Sequence, residues 1–211
     1  MGTQKSQPYH HGDLVRAAID STVEEVKTVG VAAVSMRRIA RRVGVSHAAL
    51  AYQFGDKAGL FTAVATEGFQ LFVEIAGPAA AAAGPDGFLW GGRAYVQFAL
   101  THPGHFEVMF RPYLYRADDA DLIAARDAAF DVLYGNARTS LAAHRNAPEK
   151  DITDDDVLAL AIAGWSMSHG FATLFSTGNL PDRVRTDPDV AAALVVRGAV
   201  MISELGPNPT T

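Results

Sequence analysis

The chain has 211 residues, of which 49% are hydrophobic and 19% are charged, and this composition is ordinary for a soluble globular protein. It contains no cysteine, which excludes disulfides and thiolate chemistry, and no run approaches the roughly 18 uncharged apolar residues of a membrane span. We therefore expect a cytoplasmic protein with no membrane contact and no cofactor, built as one core or as a small head and a larger body.

The net charge of −5 is unevenly distributed along the chain. Residues 1–57 carry eight Lys or Arg and five acidic residues, whereas the remainder carries ten basic and eighteen acidic residues. A positive head on a negative body favours a protein whose N-terminal part meets nucleic-acid phosphates. The alternative is that these are solvated surface charges.

The apolar residues recur with a helical period throughout, and no segment shows the alternation of a strand. We predict an all-α protein of about nine helices, in which a three-helix N-terminal head precedes a C-terminal helical domain. The predicted helices span approximately residues 12–29, 35–43, 46–54, 57–76, 88–101, 103–111, 118–144, 153–177 and 187–205. The Ala-, Gly- and Pro-rich stretch at 77–87 is predicted to be a hinge or loop.

Residues 35–54, SMRRIARRVGVSHAALAYQF, have the pattern of a helix-turn-helix. Ala40 supplies a small side chain where the second helix crosses the first, and Gly44 supplies a turn residue that tolerates positive φ. Ser46 is placed to cap the second helix, as Ser35 is for the first. The apolar positions expected inside are Ile39, Val43, Val45, Leu50 and Phe54.

The exposed face of the second helix would enter the major groove of double-stranded DNA. His47 and Gln53 can hydrogen-bond base edges, and alanine methyl groups can touch thymine methyl groups. The predicted DNA-binding residues are Ser35, Arg37, Arg38, Ser46, His47, Ala48, Ala49, Tyr52 and Gln53, flanked by Arg41 and Arg42. The alternative is a helical hairpin with a basic, solvated surface.

The segment at 30–60 closely resembles the DNA-binding head of the TetR family of regulators. The matching positions are Gly30, Ile39, Ala40, Gly44, Val45, Ser46, Leu50, Phe54, Lys57 and Leu60, and YHHGDL at 9–14 is a common opening of that family. The resemblance implies a DNA-binding domain at 9–56, a connecting helix and hinge at 57–86, and a ligand-binding and dimerisation domain at 87–206. It also implies that Lys57 contacts a phosphate.

One position departs from the family pattern. The family usually has Tyr directly after the Leu of the recognition helix, where it meets the DNA backbone, whereas this chain has Ala51. Tyr52 follows, about 100° further round the helix, so it need not replace that contact.

The C-terminal part carries a second resemblance. Trp165 with SHG at 168–170, together with THPGHFEVMF at 101–110, resembles the WHG-type C-terminal domain, which implies a sensing domain. Trp165 and His169 share one helical face, and an apolar cavity with one or two polar groups is what a small hydrophobic effector needs. The predicted ligand-binding residues are Phe98, Phe106, Met109, Phe110, Tyr113, Trp165 and His169. The alternative for each is core packing, with His169 bonded to a carbonyl.

A homodimer is expected through the last two helices, where small residues of helix 153–177 and the apolar final helix would pack against their symmetry mates. Two recognition helices must lie about 34–36 Å apart to read successive major grooves of an inverted-repeat operator. We expect a regulator, commonly a repressor in this family, that a hydrophobic effector releases from DNA by a population shift.

Two other functions remain as alternatives at this stage. The helix-turn-helix could be controlled by a protein partner, without any small-molecule pocket. An enzyme would need Ser166 or Ser168 with His169 and an acid such as Asp155, but the sequence has no Gly-x-Ser-x-Gly elbow. We therefore predict neither a catalytic nor a metal site.

Overall fold

The computed structural model describes residues 11–184 and 187–204. Every regular element within those ranges is a helix, which confirms the predicted all-α class. The nine described α-helices are α1 (His11–Val29), α2 (Met36–Val43), α3 (His47–Phe54), α4 (Lys57–Ala82), α5 (Gly87–Thr101), α6 (Pro103–Met109), α7 (Ala120–Arg145), α8 (Asp154–Ser176) and α9 (Pro188–Glu204). Positions 9 and 10 of the YHHGDL segment, and the predicted helix end at 205, lie outside the described residues.

The prediction that the chain leaves the helix at residue 77 is wrong. α4 continues through Pro78 to Ala82, and only Gly84–Asp86 forms a separate 3-10 turn before α5. A proline inside a helix costs about 3 kcal/mol because its ring removes a backbone donor and crowds the preceding turn. The alanines that follow have the highest helix propensity, and Ala76 and Ala80 are buried, so packing and propensity together offset that cost.

The start of α8 agrees with the predicted helix at 153–177, because Thr153 is its N-cap residue. The Oγ1 atom of Thr153 accepts a hydrogen bond of 3.2 Å from the backbone N–H of Asp156. Three aspartates, Asp154, Asp155 and Asp156, occupy the first turn, where the helix dipole favours negative charge. This confirms the helix start that the sequence predicted.

The chain forms two compact units. Among the described residues, the first unit contains those up to Glu67 together with 104–123, so α6 and the start of α7 belong with α1–α3 and the first part of α4. Its buried side chains include Ile39, Leu50, Leu60, Phe61 and Val108.

The second unit contains 68–103 and the described residues from 124 onward. In it, α5 packs against α8 and α9. An apolar cluster in the same unit joins α7 to α8 and contains Ala137, Ala142, Ile152, Val157 and Ala161.

Two of the described helices, α4 and α8, are long and apolar enough to meet the length and composition test for a membrane span. The first part of α4 supplies Leu60 and Phe61 to a core, and α8 opens with aspartates and packs Val157 against α7. Both helices therefore contribute side chains to the cores of the described helical units. Only 22% of the most apolar 18-residue stretch of α8 is buried within the chain, which leaves a large apolar surface on that helix.

Candidate DNA-binding interface and aromatic cluster

The turn between α2 and α3 has the geometry that its sequence predicts. Gly44 ends α2 in the left-handed conformation, with φ 81° and ψ 25°. The N–H of Val45 donates to the carbonyl of Ala40 at 2.9 Å, as expected of a helix that ends at a left-handed glycine. The Oγ of Ser46 accepts a hydrogen bond of 3.0 Å from the N–H of Ala49, which caps α3. The predicted glycine and cap are confirmed.

The inner face of the helix-turn-helix differs from the prediction at two positions. Ile39, Ala40 and Leu50 are almost completely buried, and Phe54 is buried as well. Val43 and Val45, which were expected inside, are only half-buried. They flank the turn, at the margin of the two-helix contact, so neighbouring side chains cover them on one side only.

The opposite face of α3 is open to solvent. His47 and Ala48 are exposed, Ala49 and Gln53 are half-buried, and the side chain of Tyr52 is 87% exposed. A large aromatic side chain that is almost fully exposed on a short helix is available to another molecule. All five predicted base-reading residues therefore lie on α3 with at least partial solvent access.

The four arginines of α2 do not have equivalent environments. Arg38 donates through Nη2 to Glu25 Oε1 at 2.8 Å and to the carbonyl of Ala33 at 2.6 Å. Arg42 Nη1 lies 3.4 Å from the carbonyl of Ser21, and all four arginines are exposed to solvent. Arg38 thus joins α2 to α1, and its predicted contact with DNA remains a prediction.

Glu25 is a buried carboxylate that the sequence analysis did not single out. Its side chain is 1% exposed, and Oε1 also accepts from the N–H of Ser35 at 2.8 Å. Burial acts to raise the pKa of Glu25, but the hydrogen bonds from Arg38 and Ser35 and the charges of Arg38 and Arg42 outweigh it, so the pKa is lowered. The carboxylate is ionised at neutral pH and fixes the start of α2 against α1.

A helical pattern could have revealed this contact. Ala18, Thr22 and Glu25 recur at i, i+4 and i+7 and are all buried. Of the apolar residues of α1 at the same spacing, Ile19 and Val26 are buried as well, whereas Val15 and Val23 are only half-buried. A charged residue on the same helical face as the buried Ala18 indicates that its side chain has a partner inside the protein.

Ser35 and Lys57 each make a hydrogen bond within the first unit, Ser35 through its backbone N–H and Lys57 to a backbone carbonyl. Ser35 occupies the N-cap position of α2, but its side chain makes no capping hydrogen bond there. Lys57 Nζ donates to the carbonyl of Ala32 at 3.3 Å and lies 5.3 Å from the ring centre of Phe61. Lys57 thereby ties the first turn of α4 to the segment between α1 and α2.

A hydrogen-bonded triad lies in the second unit, between α5 and α8. The indole N–H of Trp165 donates to the Tyr95 hydroxyl at 3.2 Å, and this hydroxyl lies 2.8 Å from His169 Nδ1. An indole nitrogen can only donate, so the Tyr95 oxygen accepts from Trp165. The direction of the hydrogen bond between Tyr95 and His169 follows the tautomer of the imidazole.

The surroundings of the triad favour the neutral forms of the Tyr95 hydroxyl and the His169 imidazole. Burial raises the pKa of Tyr95 despite the hydrogen bond from Trp165, and burial lowers the pKa of His169. Phe72 contacts Tyr95 edge-on with ring centres 5.5 Å apart, and it contacts Phe98 at 5.6 Å. The result is a neutral polar group within an aromatic cluster, and the sequence analysis missed Tyr95.

The seven predicted ligand-binding residues fall into different units. Phe98, Trp165 and His169 belong to the second unit, whereas Phe106, Met109, Phe110 and Tyr113 belong to the first. Phe106 and Met109 are buried, but the side chain of Tyr113 is 78% exposed. Among the described residues, no three His, Asp or Glu side chains come together as a metal site.

Two family models match the sequence. Residues 18–64 match the model for bacterial regulatory proteins of the tetR family. Residues 89–199, more than half of the chain, match the model described as tetracyclin repressor-like, C-terminal domain. No protein of curated function is significantly similar to the chain.

Solved structures share the fold over nearly the whole chain. A protein of unknown function from Rhodococcus sp. RHA1 is 29% identical with a TM-score of 0.69, and the match covers 92% of this chain and 98% of that one. A tetR-family regulatory protein from Rhodococcus RHA1 is 20% identical with a TM-score of 0.67, with 89% and 95% covered. The TetR family transcriptional regulator PfmR from Thermus thermophilus is 19% identical with a TM-score of 0.61, with 85% and 97% covered.

The helix-turn-helix geometry, the shared fold and the two family models agree. The chain belongs to the TetR family of DNA-binding transcriptional regulators, which are not enzymes.

Proposed function

We propose that this protein is a ligand-responsive repressor that binds an inverted-repeat operator as a homodimer and is released by a small hydrophobic effector. The observation that carries the proposal is the solvent-exposed face of α3, held by the Gly44 turn and the Ser46 cap. A capped helix with an open, mostly small-residue face can seat deeply in the major groove.

On that face, His47, Tyr52 and Gln53 supply hydrogen-bonding groups for base edges, and Ala48 and Ala49 supply methyl groups for thymine. Each good base contact contributes about 1–3 kcal/mol of discrimination. Phosphate contacts are assigned to Ser35, Arg37, Arg38, Ser46 and Lys57, which surround the base-reading face and fix its register on the duplex.

The dimer is supported by the uncovered apolar surface of the last two helices. Leu158 and Ile162 on α8, and Val190, Leu194 and Met201 on α9, are each between 42% and 52% exposed. They recur at helical spacing, and on α8 the small residues Ala159 and Ala163 directly follow Leu158 and Ile162. A contiguous apolar face of this kind is self-complementary about a two-fold axis and would be covered by a second copy.

The effector class is supported by the triad of Tyr95, Trp165 and His169. An uncharged hydrogen-bonding group inside an aromatic cluster suits an apolar molecule with one polar group. The resemblance of this region to the WHG-type domain points in the same direction. Release follows if the effector binds more tightly to a body conformation in which the two α3 helices no longer match the groove spacing.

Selection of the purified protein on random duplex DNA at about 150 mM salt, followed by sequencing, tests the proposal. We expect an inverted repeat, and Tyr52→Ala should change the preferred bases within each half-site. Trp90→Ala, which removes an exposed aromatic side chain of α5 in the second unit, is the control and should leave the motif unchanged. Binding that depends on salt but not on sequence would contradict the proposal.

The dimer is tested separately by Leu194→Glu, which places a charge in the apolar face of α9. The variant should sediment as a monomer and lose cooperative binding to the inverted repeat. Val29→Glu changes an equally exposed apolar residue on α1 and should remain a dimer. A dimeric Leu194→Glu variant would place the interface elsewhere.

A further inference from the structure

The loop between α6 and α7 contacts the turn that follows the recognition helix. Arg116 Nη2 donates to Asp56 Oδ1 at 3.1 Å. The same oxygen accepts from the N–H of Gly59 at 2.9 Å and so caps the first turn of α4. The two residues are 60 positions apart in the chain, and both belong to the first compact unit.

Two glycines make room for the Arg116 guanidinium. A Cβ atom at Gly55 would lie 3.0 Å from Arg116 Nη2. A Cβ atom at Gly59 would collide with the backbone carbonyl oxygen of Phe54 and would also lie 2.9 Å from Arg116 Nη1. Gly55 also has a φ of 78°, which favours glycine. The Arg116 guanidinium therefore occupies the space that a side chain would fill at Gly55, whereas at Gly59 the Phe54 carbonyl already leaves no room for one.

The backbone of the loop is held at the same place. The N–H of Arg116 donates to Thr62 Oγ1 at 3.0 Å, and that hydroxyl donates to the carbonyl of Ala58 at 2.9 Å. Thr62 is 6% exposed, so the contact is shielded from water. Because the backbone contact does not need the guanidinium, the loop can remain docked when the Arg116 side chain is changed.

The segment before the loop is docked as well. His105 Nε2 lies 2.9 Å from Glu67 Oε1, and Arg16 Nη1 lies 3.1 Å from Glu67 Oε2. At Gly104, a Cβ atom would collide with the backbone of Val23, so α6 approaches α1 very closely. Residues 104–116 thus contact α1, α4 and the α3–α4 turn.

We propose that Arg116 is a positioning residue for DNA recognition, which acts by fixing the turn between α3 and α4. Only Gly55 and Asp56 separate the two helices, so a shift at this turn changes the direction of α3. Arg116 binds Asp56 and occupies the space beside Gly55 from outside the helix-turn-helix, and this makes the α6–α7 loop part of the DNA-reading head. The inference rests on the proposed function, because it assigns a role in reading an operator.

The test uses Arg116→Met, which removes the guanidinium but keeps the side-chain stem, and Asp56→Asn, which removes the charge but keeps an oxygen for capping α4. Each should weaken binding to the selected operator about two- to fivefold, since a half-exposed ion pair contributes little free energy. The double variant should be no weaker than either single variant, because both remove one interaction. Arg126→Met, at an exposed arginine of α7, is the control and should bind normally.

The salt dependence separates positioning from direct contact. If Arg116 touched a phosphate, its removal would reduce the slope of log affinity against log salt by about one. A positioning role leaves that slope unchanged. A reduced slope, or unchanged affinity in Arg116→Met, would overturn the proposal.

Hydrogen exchange tests the contact without DNA. The amides of residues 55–62 should exchange faster in Arg116→Met than in the wild type, with no change in the Arg126→Met control. Unchanged exchange there would overturn the proposal whatever the DNA result. If the wild type selected no inverted repeat but this exchange responded, the proposed operator function would fail while the Arg116 contact stood.

Discussion

Replacing Gly44 with alanine should destabilise the protein, whereas the same change at Gly135 should stabilise it. An added Cβ meets nothing within 4 Å at either position, so neither change creates a clash. The two glycines differ in backbone conformation, because Gly44 has a φ of 81° and Gly135 lies inside α7. The comparison therefore isolates the backbone contribution.

The magnitudes follow from these conformations. A left-handed conformation costs an alanine about 1–2 kcal/mol, and the reduced freedom of the unfolded chain returns about 0.4–1 kcal/mol. Gly44→Ala should therefore lower the free energy of unfolding by about 1 kcal/mol. Gly135→Ala should raise it by about 0.5–1 kcal/mol, because alanine is favoured over glycine inside a helix.

Urea unfolding followed by circular dichroism measures both changes, with similar slopes expected for the two variants and the wild type. Gly44→Ala should also bind the operator more weakly, because the α2–α3 angle depends on this residue. Two substitutions that shift the midpoint in the same direction by similar amounts would refute the reasoning. So would a Gly44→Ala variant as stable as the wild type.

Three further predictions concern other contacts. Ser46→Ala should lose about 1 kcal/mol of unfolding free energy, whereas Ser46→Asp should keep it but bind DNA more weakly through charge repulsion; equal stability of all three proteins would contradict the cap. The pKa of Glu25 in the folded state lies below its ordinary value of 4.5, so the unfolded state binds a proton first and the free energy of unfolding decreases as the pH falls below that value. Glu25→Gln should flatten this pH dependence in acid unfolding. An unchanged curve would exclude Glu25 as its source. Tyr95→Phe removes two hydrogen bonds and should cost about 1–3 kcal/mol in urea unfolding, with no cost arguing against the triad.

The helix-turn-helix was predictable because its determinants are local. Gly44 and Ser46 act within a few residues of their own positions, through a left-handed turn and a helix cap. The end of α4 was not predictable in this way. A local pattern containing Gly77 and Pro78 indicates a break, but burial of Ala80 keeps the chain helical.

The candidate site shows the same division. The exposed face of α3 could be identified from the sequence, whereas the pairing of Arg38 with Glu25 could not. The four arginines of α2 form two adjacent pairs, and nothing in this pattern indicates which arginine has a buried partner. Tyr95 was missed because its partners Trp165 and His169 lie about seventy positions away.

By itself, the sequence determined the all-helical class, the helix-turn-helix of α2 and α3, and the start of α8, since each depends on contacts within about one helical turn. Only the tertiary structure decided which charged side chains are paired, how the predicted ligand-binding residues divide between two units, and that the α6–α7 loop belongs with the head. These features join residues far apart in the chain. A side chain such as Arg116 has the same local sequence signature whether it is solvated or fills the space beside Gly55.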